Sequence, residues 1–136
     1  MKRQLCIGLI TGALMLVMAG PPQGAAVAGG SNIDRAVVSV EQPVRLLGVV
    51  LHGRYLFLHH NGMMQHGRPC MFIYTLDSPN EGARVLAYHC EAVVRPRALE
   101  FKLALRNIPG DMPEVTEVQF AGTSEGHKAP EVESAE

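Results

Sequence analysis

The chain has 136 residues, with 12 Lys and Arg against 13 Asp and Glu, a formal net charge of −1, and 3 cysteines. This length accommodates one modest domain. The balanced charge leaves no basic footprint for nucleic acid.

At the start, Lys2 and Arg3 precede an apolar run from Leu5 to Ala19, then Pro21, Pro22 and a small-residue stretch from Gly24 to Gly30. Basic, apolar and small-residue regions in that order are the marks of a secretory signal. The run holds 15 residues, short of the roughly 20 needed to span a bilayer. The expectation is a signal peptide over residues 1–28, cleaved after Ala26-Val27-Ala28, giving an exported protein, periplasmic or extracellular, with no stable membrane anchor. Cys6 lies inside this segment without the small residues that precede a lipidated cysteine, so it leaves with the signal. Residues 29–34 read as a short linker and 35–121 as a β domain. The stretch 122–136 has four acids, one lysine and little to bury. It reads as a disordered acidic tail, because burial cannot offset the entropy of ordering it.

Ala36 to Val40 is the first expected strand. Val44 to Leu51 and Arg54 to His60 flank His52-Gly53, which suits a two-residue hairpin turn. That register pairs Leu51 with Arg54 and Val49 with Leu56.

Next comes His59-His60-Asn61-Gly62-Met63-Met64-Gln65-His66. Imidazole with thioether is a ligand combination that suits copper, so His59, His60, Met63, Met64 and His66 form a candidate copper site, with Met71 and His89 as possible contributors. The competing reading is a packed or solvated loop, since adjacent strand residues such as His59 and His60 point to opposite faces.

Cys70 to Leu76 and Arg84 to Val94 form a second hairpin around the turn Asp77-Ser78-Pro79-Asn80-Glu81-Gly82. Pairing Thr75 with Val85 sets Cys70 opposite Cys90. In an oxidising compartment that pair reads first as a disulfide, closing a loop of about twenty residues and contributing on the order of 3 kcal/mol. Two buried free thiols are the alternative, and a redox-active pair a third reading, although no Cys-x-x-Cys is present and only His89 stands near to lower a thiol pKa.

Leu99, Phe101, Leu103 and Leu105 alternate with Glu100, Lys102, Ala104 and Arg106, a half-buried strand. Val115 to Ala121 is the last strand. About six short antiparallel strands and no helix give an all-β domain, a small sandwich or open barrel.

Catalytic constellations are absent from the pattern. No Gly-x-Ser-x-Gly elbow, phosphate-binding glycine motif or Cys-x-x-Cys-His appears. Two functional readings lead, and an enzymatic one stays open behind them because the absence of a motif is weak evidence. The first is an exported, non-catalytic β domain that binds a protein or small ligand whose identity the sequence does not disclose. The second is a copper-handling protein using the loop 59–66.

Overall fold

A computed structural model describes residues 32–132. The signal-peptide expectation and the first half of the linker, residues 29–31, lie outside the described residues. Eight strands and one four-residue helix form an all-β domain: β1 (Ile33–Leu46), β2 (Val49–His60), α1 (Asn61–Met64), β3 (Met71–Thr75), β4 (Arg84–Tyr88), β5 (Glu91–Val94), β6 (Lys102–Arg106), β7 (Glu114–Gln119) and β8 (Glu125–Lys128). They build one sheet in the order β4-β3-β2-β1-β7-β8-β5, with β6 paired to β7 off that path. All pairings are antiparallel except a single parallel pair, Arg45 with Glu114.

The first hairpin turns at Leu47-Gly48, not at His52-Gly53. Leu47 and Gly48 have φ of 48° and 81°, as a two-residue turn matched to strand twist requires, and Leu46 pairs with Val49. The reason lies in the alternation. Leu51, Tyr55, Phe57 and His59 are all buried, and Gly53 falls in step with them, so the period of two runs through Gly53 and β2 is one strand. Gly53 pairs with Val40, just before β1 slips register between Val40 and Val44. Pro43, which has no N–H to give a ladder, lies in that irregularity. Gly53 itself has φ 111° and meets the Asp77 carboxylate closely, while Arg54 N–H donates to Asp77 Oδ2 at 2.9 Å.

Strands β3 and β4 also pair one residue away from the expected register: Met71 meets Tyr88, Phe72 meets Ala87 and Ile73 meets Leu86. Such a slip would send two side chains on the ladder to opposite faces. Cys70 and Cys90 remain neighbours because β4 ends at Tyr88 and β3 begins at Met71, so neither cysteine is bound by the alternation.

The connection from β4 to β5 explains the overall shape. These strands stand at opposite ends of the sheet order, yet only His89 and Cys90 separate them in sequence. The sheet must therefore curl until its two ends nearly meet, and Cys90 sits in the seam. The result is a curled open sheet, close to the expected open barrel but with more strands.

Inside the curl, Leu46, Leu51, Phe57, Met71, Ile73, Val115, Val118 and Phe120 are buried. Phe101 packs between Phe57 and Phe120, with ring centroids 5.2 and 5.4 Å away. Leu99, expected to face inward, is 94% exposed, because the strand begins only at Lys102. The preceding loop is held instead by Ala98 N–H donating to Thr123 O and Gly122 N–H to Ala98 O.

Part of the expected disordered tail is structure. Glu125–Lys128 form β8, between β7 and β5, with Gly126 and His127 buried. The strand was hidden because its contribution to the interior is a glycine and a histidine, which no apolar pattern reveals.

Candidate metal centre

Three side chains from distant parts of the chain converge inside the curl. His59 comes from β2, where it pairs with Met71 of β3, and Met71 pairs in turn with Tyr88 of β4. Directly paired residues share a face, so His59, Met71 and Tyr88 form one inward-facing row, and all three are buried. His127 comes from β8, paired with Val118 and Ala92. Cys90 comes from the seam. One ligand atom from each of His59, Cys90 and His127 lies within 4.8 Å of the others, and no residue of the three is more than 1% exposed. Among the described residues this is the one His, Cys, Asp or Glu group of this kind.

The two imidazoles stack with centroids 3.8 Å apart and planes 32° apart, and the Phe120 ring closes the group at 6.3 and 6.1 Å from them. A carboxylate stands behind each ring. Asp34 Oδ2 is 3.7 Å from His59 Nδ1, and Glu125 Oε1 is 3.7 Å from His127 Nδ1. Asn61 Nδ2 donates to Asp34 Oδ2 at 3.2 Å and fixes that carboxylate.

Polar atoms at this centre lack partners. Both ring nitrogens of His59, Nδ1 of His127 and the hydroxyl of Tyr88 are buried without a hydrogen bond. Each such atom costs about 1–3 kcal/mol, and together they are every buried orphan side-chain atom among the described residues. The surroundings also keep the centre uncharged. Burial, then the facing His127, lowers the His59 pKa to about 4 against the opposing pull of Asp34. Burial lowers that of His127. Burial, then Cys70, pushes the Cys90 thiol up, and burial raises Tyr88.

Cys70 touches the centre from one side. Its Sγ is 2.7 Å from Cys90 Sγ and accepts a hydrogen bond from Cys90 N–H at 3.3 Å. Both cysteines are free and buried. The expected adjacency is present, but no disulfide is formed; the pair is two thiols.

Of the five residues in the expected copper loop, only His59 joins this group. His60 lies on the opposite face of β2, edge-on to Phe72 at 5.3 Å. Met63 is exposed, Met64 packs partly against the core, and His66 is exposed. His89 is exposed beside the seam. The residue missed by sequence was His127, assigned to the tail. The one available signal was that it is the last histidine in the chain, within Glu125-Gly126-His127.

A second concavity of about 620 Å³ lies over β5, β7 and β8 and includes Glu91, Arg106, Glu114, Glu117 and Lys128. It is chemically quieter than the centre. Arg106 pairs with Glu114, Glu117 with Arg95, and Lys128 sits between Glu91 and Glu117 in the ladder.

Comparison with family models, curated proteins and solved structures finds no match to this chain.

Proposed function

We propose that this protein is an exported, non-catalytic β domain that holds one copper ion between His59, Cys90 and His127. The observation that carries the reading is the convergence of three buried ligand atoms within 4.8 Å beside imidazole nitrogens that make no hydrogen bond. Metal–nitrogen and metal–sulfur bonds of about 2.0–2.3 Å require only a modest contraction of that triangle. A cation there supplies a partner for His59 Nε2, which has none, and favours the Cys90 thiolate, which burial otherwise suppresses. Asp34 and Glu125 are placed to take the Nδ1 protons and turn the other ring nitrogens toward the ion, the usual support for a metal-bound histidine.

The donor set favours copper. Two imidazoles and one thiolate with a weak thioether nearby are a copper combination, and Met71, the buried cross-strand partner of His59, places a thioether on the same face. A structural zinc site closes with four ligands, and Cys70 is the nearest fourth donor. Two thiolates on one zinc, at about 2.3 Å in tetrahedral geometry, lie roughly 3.8 Å apart, whereas these sulfurs are 2.7 Å apart. Cys70 is better placed to react with Cys90 than to share an ion with it. The enclosed site also leaves little room for a substrate.

Native mass spectrometry of the reduced protein with Cu(I), under anaerobic conditions, tests the reading. One copper per chain is expected. Replacement of Cys90 by Ser or His127 by Gln removes it, and failure of the folded wild-type protein to take up copper contradicts the reading.

A further inference from the structure

We propose that Cys70 and Cys90 are a dithiol open to exchange with an external disulfide, and that this oxidation and copper loading exclude each other. The inference rests on the copper reading above and adds the regulation of the same centre. Cys90 carries it, because its one sulfur belongs both to the triangle with His59 and His127 and to a direct contact with Cys70.

The geometry is prepared for bond formation. Cys70 is held by its backbone on both sides, its N–H donating to Tyr88 O at 3.0 Å and its carbonyl accepting from His60 N–H at 2.8 Å. The sulfurs, 2.7 Å apart, need to close by less than an ångström to reach the disulfide length of about 2.05 Å. Cys90 N–H donates to Cys70 Sγ, a hydrogen bond that strengthens as charge gathers on that sulfur. This marks Cys70 as the first nucleophile.

The reaction balances with a small disulfide such as oxidised glutathione. The Cys70 thiolate attacks one of its sulfurs, forming a mixed disulfide and releasing one glutathione. The Cys90 thiolate then attacks the Cys70 sulfur and displaces the second glutathione. The protein loses two electrons and two protons, and both appear in the two glutathione thiols. The sulfur of Cys90 is then bonded to sulfur and no longer available as a thiolate ligand, leaving two imidazoles alone. In the other direction, copper bound to the Cys90 thiolate withholds the sulfur that must complete the disulfide. Both cysteines are at most 1% exposed, so attack by Cys70 requires local opening of the chain beside it, where Pro69 is exposed.

The test uses the mature chain from Gly29, which lacks Cys6 and keeps Cys70 and Cys90, reduced and anaerobic, in two orders of addition. Oxidised glutathione first is expected to lower the mass by two hydrogens, remove both thiols from the reach of an alkylating reagent in denaturant, and abolish later Cu(I) uptake. Cu(I) first, with free copper at about ten times its Kd, is expected to slow appearance of the oxidised mass about tenfold, in proportion to the fraction of chain left metal-free. If the reduced chain takes up no Cu(I), the copper reading falls and this inference falls with it. If it takes up Cu(I) and the oxidised chain does so equally, exclusion alone is overturned. If the metal-free chain forms no internal disulfide, the exchange is overturned while the copper reading stands. Cys70→Ser is expected to load Cu(I) and to keep it after oxidised glutathione. A reduced, natively folded Cys70→Ser chain that binds no Cu(I) would make Cys70 a ligand and overturn the separation of roles. The wild-type measurements decide the exclusion even where the variant folds poorly.

Discussion

The imidazoles of His59 and His127 stack 3.8 Å apart although they come from strands near opposite ends of the described chain. Two stacked, buried bases with lowered pKa values cannot both accept protons without cost, and this gives the metal-free protein a defined pH response. For His59 the folded pKa is about 4 against about 6.5 in an unfolded chain. Between those values the unfolded state binds the extra proton, so stability is full above about pH 6.5 and is lost as the pH falls toward 4. His59 alone is expected to cost about 2 kcal/mol between pH 7 and pH 5, and His127 acts in the same direction. Urea unfolding of the metal-free protein at the two pH values measures this, and His59→Phe should flatten the difference.

The carboxylates behind the rings give a second expectation. Asp34→Asn and Glu125→Gln leave the three ligands in place but weaken the partners of Nδ1 at 3.7 Å. Each is expected to lower copper affinity about 10- to 100-fold, with far-ultraviolet circular dichroism unchanged. Equal affinity in a competition titration would show that neither carboxylate orients its histidine.

The loop between β2 and β3 provides the contrast. Met63 and His66 point to solvent and Met64 only partly covers the core. The triple variant Met63→Leu, Met64→Leu, His66→Ala should retain one copper per chain with affinity within about threefold of wild type, since none of these residues lies in the His59, Cys90 and His127 group. Loss of copper in this variant would move the site to the loop.

Gly126 tests how tightly β8 is held. A Cβ there would run into the Glu117 carboxylate, with Glu117 Cδ at 2.8 Å and Arg95 Cγ at 3.1 Å, and so disturb the Arg95–Glu117 ion pair at 2.8 Å. Glu117 is 9% exposed, so separating it from Arg95 leaves a nearly buried charge poorly paired. Gly126→Ala is expected to destabilise by about 1–3 kcal/mol and to loosen the neighbouring His127. Gly62→Ala, where nothing lies within 4 Å, serves as the neutral control in the same thermal melts.

Much of the sheet was legible because its strands announce themselves by alternation. Phe72, Tyr74, Val115 and Val118 fall on strands read directly from the pattern, and the adjacency of Cys70 and Cys90 followed from treating two apolar runs as a hairpin. The hairpin turn was misplaced because Gly53 looks like a turn residue, whereas its positive φ of 111° serves an irregularity inside a strand. The centre was half legible. His59 stood out within a cluster of histidines and methionines, but the neighbours that drew attention to it are not its partners. His127 was invisible for a physical reason: β8 is held by its place between β7 and β5, a long-range pairing that leaves no local hydrophobic period. Cys90 was read for its sulfur partner, and its place beside His59 and His127 appears only when the sheet curls.

The most direct measurement of the central claim is copper stoichiometry by native mass spectrometry on the reduced wild-type protein, compared under the same conditions with His59→Gln, Cys90→Ser and His127→Gln. One copper in the wild type and none in any folded variant is the predicted result. Copper retained by all three variants, or absent from the folded wild type, would contradict the buried His59, Cys90 and His127 centre.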